Sequence, residues 1–143
     1  MKGINFGRVI LGGLLAGVLI NLSEFCLNTK VLKADMDAAF KALGKTTPDT
    51  SQSMVVWMIF GFVSGIALVW LYAAIRPRYG AGAGTAARAG VYFWFLMSLC
   101  VSIMFWNLGL FPLSPLGIGW ELVQFVIAAV TGAWLYKEDG AAA

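Results

Sequence analysis

The 143-residue chain contains no histidine. That absence removes the commonest general base, the commonest metal ligand and the usual axial ligand of haem. It excludes imidazole-built zinc triads, Ser-His-Asp hydrolysis and His-ligated chlorophyll. Charge is scarce too. Asp, Glu, Lys and Arg make up 12% of the residues, against about 25% in a soluble domain. A water-soluble globule of this size would lack the polar surface to cover itself. A soluble enzyme, a nucleic-acid-binding domain and a disordered tail are therefore excluded. Cysteine is limited to Cys26 and Cys100, too few to hold an iron–sulfur cluster alone. Cys26 closes the first apolar run, whereas Cys100 lies about 12 Å inward from Leu108 at 1.5 Å per residue. A bridge, which needs α-carbons within about 7 Å, is not expected. Both read as small buried apolar side chains.

What the chain has in abundance is apolar residues, 60% of the total. A membrane-crossing helix needs about 20 of them in a row. Four such runs fit, at about 6–27, 53–75, 85–108 and 116–136. The prolines of Leu110-Phe111-Pro112-Leu113-Ser114-Pro115 separate the last two. The fold class expected is an all-α membrane protein, one domain over 1–143. It is an antiparallel bundle of four transmembrane helices with a short amphipathic helix in the first loop. That helix is placed at about 35–44, with Asp35 as N-cap, Met36, Phe40 and Leu43 on one face and Gly44 as the stop. It reads as lying in the outer interface, with capping of the bundle or docking on a partner as the alternatives. The basic start and apolar run resemble a signal peptide. The run is long, and no small-x-small site follows near Asn21-Leu22-Ser23, so it is expected to stay as a helix.

Basic residues orient the bundle. Lys2, Arg8, Arg76, Arg78, Arg88 and Lys137 fall on one side, and Lys30, Lys33, Lys41 and Lys45 on the other. Six against four places both termini in the cytoplasm. Arg8, Arg76, Arg78 and Arg88, with Trp70, Tyr72, Trp134 and Tyr136, are the expected interfacial anchors at that side. Trp57, Trp106, Phe111 and Trp120 mark the other. Trp70-Leu71-Tyr72 and Trp134-Leu135-Tyr136 end the second and fourth spans alike. This suits two repeated hairpins, and equally the ordinary preference of Trp and Tyr for interfaces. The glycine-rich 80–84 segment has neither the preceding strand nor the Lys-Ser/Thr of a phosphate loop, and reads as a flexible cytoplasmic turn.

Two carboxylates lie inside the spans. Glu24 is sixteen positions beyond Arg8, and Glu121 is sixteen before Lys137. Each is thus about 24 Å from its basic anchor, so the two share one level near the outer interface. Asn107 reaches the same zone from the third span. On the first span Gly13, Gly17, Asn21, Glu24 and Asn28 form one stripe. Gly117, Glu121, Gln124, Ala128 and Gly132 do so on the fourth. Glycine lets backbones approach, and polar groups face protein rather than lipid. Gly13, Gly17, Gly61, Gly65, Ala128 and Gly132 are the expected packing positions. Asn21, Glu24, Asn107, Glu121 and Gln124 form the expected intramembrane polar cluster. Ser98 and Ser102 read as packing residues of the third span.

Three stretches resemble a group of small bacterial four-span membrane proteins to which no activity attaches. They are Phe6-Gly7-Arg8-Val9-Ile10-Leu11-Gly12-Gly13-Leu14-Leu15-Ala16-Gly17, Trp70-Leu71-Tyr72-Ala73-Ala74-Ile75-Arg76-Pro77-Arg78-Tyr79-Gly80 and Gly132-Ala133-Trp134-Leu135-Tyr136-Lys137. The resemblance implies a bacterial inner-membrane protein and carries over no functional residue. Small multidrug transporters are a contrast: they too have four spans and a first-helix glutamate, but theirs lies deep in the membrane. The expectation is a non-catalytic accessory subunit of a larger membrane complex, with no cofactor. Bound lipid, or a pigment held without histidine, is compatible with it. Its partners are membrane lipids and other membrane subunits or further copies of itself, not nucleic acid. The alternative is a proton- or cation-coupled homo-oligomeric transporter acting through Glu24 and Glu121.

Overall fold

The computed structural model describes residues 3–48 and 50–138. Six helices appear in the order α1 (Phe6–Cys26), α2 (Lys33–Ala42), α3 (Ser51–Tyr79), α4 (Ala83–Trp94), α5 (Val101–Asn107) and α6 (Pro115–Leu135). Two π-helical turns, Leu27–Val31 and Phe95–Cys100, extend α1 and join α4 to α5. Four continuous helices result, Phe6–Val31, Ser51–Tyr79, Ala83–Asn107 and Pro115–Leu135, each long and apolar enough to cross a bilayer. Arg8 and Tyr136 sit at one end, the terminal end. The loop carrying α2 sits at the other, the loop end.

Local chemistry sets the helix starts. Orphan N–H groups of a first turn need an acceptor. The Asn5 side chain accepts from the N–H of Arg8, Thr50 from Ser53 and Ser114 from Gly117. Pro115 follows Ser114 at the first helical position, where its missing N–H costs nothing. The second span runs four residues past its expected end at 75, through Pro77 to Tyr79. Pro77 has no N–H to donate to the Ala73 carbonyl, yet the helix continues two residues beyond it. The turn to α4 is correspondingly short. Gly80 and Gly82 take φ of 85° and 122°, which L side chains resist. Tyr72 Oη accepts the Gly82 N–H at 3.3 Å, and the Thr85 hydroxyl donates to the Tyr79 carbonyl at 3.2 Å. The flexible turn expected at 80–84 is thus a tied corner.

α1 is central. It packs on α3 and α6, and α6 packs on α4. Glycines set these distances. A Cβ on Gly13 would lie 2.7 Å from the Ile66 side chain, and one on Gly17 2.8 Å from the Phe62 backbone. Gly65 meets the Gly13 carbonyl, Gly61 the Asn21 side chain, and Gly12 the Gly132 carbonyl, so none has space for a Cβ. The single stripe expected on the first span therefore divides. Gly13, Gly17 and Asn21 face α3, while Gly12, Ala16 and Glu24 face α6. α3 meets α4, but has no comparable contact with the rest of the third span, Phe95–Cys100 and α5. Residues 54–60 of α3 and 103–110 of the third span and following turn are exposed.

The terminal end closes on Tyr72 and Tyr136. Both are buried, with ring centroids 5.8 Å apart in an edge-to-face pair. Arg76 lies over the Tyr136 ring at 5.5 Å and pairs with Glu138 at 3.4 Å. These two tyrosines are core residues, not the lipid-facing anchors expected. Trp70, Trp134, Arg8, Arg78 and Arg88 are exposed, and Arg88 stacks on Tyr79. Cys26 and Cys100 are free and exposed rather than buried; a thiol is apolar enough to face lipid.

At the loop end, α2 begins at Lys33 without a side-chain cap, so Asp35 lies in the first turn instead of capping it. There it still opposes the positive end of the helix dipole. Gly44 ends the helix with φ of 69°. Phe40 packs edge-on against Phe111 at 5.3 Å, and Phe105 packs on the same ring. α2 therefore caps the loop-end turn between the third and fourth spans. Asp37 anchors it, accepting from Thr47 at 2.5 Å and pairing with Lys33 at 3.1 Å. Hydrogen bonding from Thr47, then Lys33, holds its carboxyl below the ordinary 3.8. A lowered folded value means the contribution is present above pH 3.8 and lost as pH falls through the folded value. Hydrogen exchange of 33–47 is expected to accelerate in that acid window. Asp37→Asn should exchange faster already at pH 7 and show a smaller acid response; identical profiles would count against the anchor.

Candidate functional site

The polar groups converge where α1 crosses α6. Gln124 is 6% exposed, and its Nε2 donates to Glu24 Oε1 at 2.7 Å. The second Glu24 oxygen accepts from Asn28 Nδ2 at 3.0 Å, and the same amide donates to the Glu24 carbonyl at 2.9 Å. Glu121, one helical turn before Gln124, lies close enough to Glu24 for the two charges to interact. Ser98 approaches Glu121 from the π-helical turn of the third span. It is 2% exposed, and its hydroxyl lies within reach of the Glu121 carboxyl. Gln124 Oε1 is buried without a hydrogen-bond partner. Beside Glu24 in sequence, Ser23 accepts at its Oγ from Trp120 Nε1 at 2.8 Å, which ties α6 to α1.

The two π-helical turns flank this cluster. Asn28 comes from one and Ser98 from the other. A π turn inserts an extra residue and re-aims the side chains around it, and such turns recur at functional sites. A membrane-side groove of ≈ 490 Å³ runs along α6 from Pro115 to Ile127, with Ser23 and Gln124 on its wall.

The structure places the expected polar residues unevenly. Glu24, Glu121 and Gln124 come together. Asn21 faces elsewhere, donating to the Met58 carbonyl of α3 at 3.1 Å. Asn107 is exposed at the end of α5 and lies outside the cluster. The same depth does not ensure the same face, and α5 diverges from the bundle. Ser98 was expected only to pack; nothing in its i, i+4 spacing with Ser102 signalled the carboxylate beside it. Among the packing positions, Ala128 is buried, and Gly132 is buried against Gly12 and Ala16 of α1 and Val69 of α3. Gly12 and Gly90 are further close approaches, Gly90 against the backbone of Phe125 and Val126 at 2.8 Å.

Among the described residues, no group of three or more His, Cys, Asp or Glu converges as a metal centre would require of those types. The cluster offers oxygen only: two carboxylates, an amide carbonyl and a hydroxyl. Neither glutamate belongs to an ion pair among the described residues.

Four apolar spanning helices in a bundle define a multi-pass integral membrane protein. No family model, curated protein or solved structure matches the chain.

Proposed function

We propose that the protein is a non-catalytic accessory subunit of a larger assembly in a bacterial inner membrane, with the terminal end in the cytoplasm. The observation that carries this reading is the outer half of α3. A bundled helix ordinarily covers one side. Every side chain at 54–60 is exposed, Trp57 the most at 68%. Lipid tails suit one such face. A stretch of two turns with every side chain exposed suits the packing of further helices, which in lipid rests on close contact rather than on the hydrophobic effect. Lipid, or a pigment held without histidine, fits the groove along α6. Extraction in a mild detergent tests the reading. The chain is expected to migrate with one large complex, and a photo-crosslinker at Trp57 should capture a second polypeptide. Recovery only as free chain or homo-oligomer would overturn it.

A second reading, coupled transport of a proton or cation, is favoured by the meeting of Glu24 and Glu121. Flux in proteoliposomes that survives both Glu24→Gln and Glu121→Gln would sink it.

A further inference from the structure

We propose that Arg78 and Arg88, at the corner between α3 and α4, form a docking surface for the phosphate of an anionic membrane lipid. The inference goes beyond the accessory role. It does not depend on that role, on transport or on which side of the membrane the terminal end faces.

The charge balance comes first. Among the described residues the loop end carries Lys30, Lys33, Lys41 and Lys45 together with Glu24, Asp35, Asp37 and Glu121, so basic and acidic side chains are matched there. The terminal end carries Arg8, Arg76, Arg78, Arg88 and Lys137 against one described carboxylate, Glu138. Glu138 pairs with Arg76, which also lies over the Tyr136 ring. Arg8, Arg78, Arg88 and Lys137 are exposed and belong to no ion pair among the described residues. The unmatched positive charge of this end attracts an anion from outside the chain.

The level selects that anion. α3 has 29 residues, about 44 Å at 1.5 Å per residue, which matches a bilayer with its headgroups included. Its last turn, with Arg76, Arg78 and Tyr79, therefore stands among headgroups rather than in hydrocarbon. The next spanning helix begins at Ala83 and brings Arg88 in its second turn. Basic side chains at this level meet lipid phosphate before any other anion.

The shape of the corner comes third. Thr85 donates to the Tyr79 carbonyl, and the Gly82 N–H donates to Tyr72, so the end of α3 is fixed against the start of α4. Arg88 then lies over the Tyr79 ring, its guanidinium carbon 5.4 Å from the ring centre. A ring holds a guanidinium by its face, which leaves the N–H edge available. That edge meets a phosphate with two parallel hydrogen bonds, a geometry lysine cannot offer. Arg78 immediately precedes Tyr79, so the two arginines reach one corner from two helices. The ground between them is open. Gly80, Gly82 and Gly84 are exposed, and a Cβ on any of them would meet nothing within 4 Å.

The test titrates the purified full chain, freed of lipid in a neutral detergent, with phosphatidylglycerol and with phosphatidylcholine of identical acyl chains. Native mass spectrometry reads the bound lipid. Phosphatidylglycerol is expected to bind at least about tenfold more tightly, since each basic side chain near the surface adds about a factor of five toward an anionic lipid. Arg78→Gln and Arg88→Gln should each cut that preference about fivefold, and the double variant should abolish it. Lys41→Gln, at the loop end, should leave it unchanged. Equal affinity for the two lipids in the wild-type chain would overturn the proposal without reliance on any variant. So would a preference kept in full by the double variant. Displacement of phosphatidylglycerol by an equal concentration of inorganic phosphate would overturn it too, because the occupant would then be the free anion and not the lipid. Binding is read on the isolated chain, so its failure leaves the accessory reading standing, and failure of co-migration leaves the docking surface standing.

Discussion

Gly65→Leu is expected to destabilise the bundle by about 3 kcal/mol, the upper part of the range for overpacking. The reason is what the new side chain meets. A Cβ on Gly65 falls on the Gly13 carbonyl and 2.8 Å from the Gly17 Cα. These are backbone atoms of a neighbouring helix and cannot rotate aside. α1 and α3 would have to separate, and every close contact from Gly13 to Asn21 would loosen with them. In lipid that packing is the main source of helix association. A loss of about 3 kcal/mol is roughly a 150-fold change in the unfolding constant, within reach of steric trapping in bicelles. Gly84→Ala is the control. Nothing lies within 4 Å of its Cβ, and alanine is the better helix former. It should be neutral or slightly stabilising. A Gly65→Leu chain as stable as wild type would refute the close α1–α3 approach.

Tyr136→Ala should cost about 3 kcal/mol, the low end for deleting a buried aromatic ring. It removes the edge of the Tyr72 pair and the face beneath Arg76. The hydroxyl behaves differently from the ring. Tyr136 Oη is buried without a partner, so Tyr136→Phe deletes an unsatisfied group and is expected to be neutral or stabilising by up to about 1 kcal/mol. Tyr72→Phe should go the other way. It takes the acceptor from the Gly82 N–H and should cost about 1 kcal/mol. Thermal unfolding of the three variants in one detergent checks the order. A Tyr136→Phe chain clearly less stable than Tyr72→Phe would contradict the geometry. The Trp-Leu-Tyr endings of the second and fourth spans look interchangeable in sequence, yet their hydroxyls are expected to differ in sign.

The four spans were legible because lipid imposes a length of about twenty apolar residues and because Pro112 and Pro115 separate the last two runs. The shared depth of Glu24 and Glu121 was legible by counting residues, since a helix converts number into height. Rotation was harder. Gly12 and Gly13 are adjacent, so they point about 100° apart and serve two different neighbours; the doubled glycine was the available signal that α1 is approached from two sides. The second span was expected to end at about 75, yet the helix runs on through Pro77 to Tyr79 although an interior proline removes a hydrogen bond. Ser98 depends on the π turn at Phe95–Cys100, which shifts the phase of the third span. No local composition marks that extra residue. Tyr72 and Tyr136 carried the composition of anchors, and only the meeting of two helix ends turns them inward.

The Glu24–Gln124 hydrogen bond joins residues one hundred positions apart. A ribosome working at roughly 5–20 residues per second makes the second partner on the order of 5–20 s after the first. During that interval the first span is in the bilayer with its carboxylate uncovered by the fourth. The shallow level of Glu24 then has a biosynthetic meaning. Headgroup water can solvate the acid while the remaining hairpin is still being translated, and arrival of the last helix is the event that dries it.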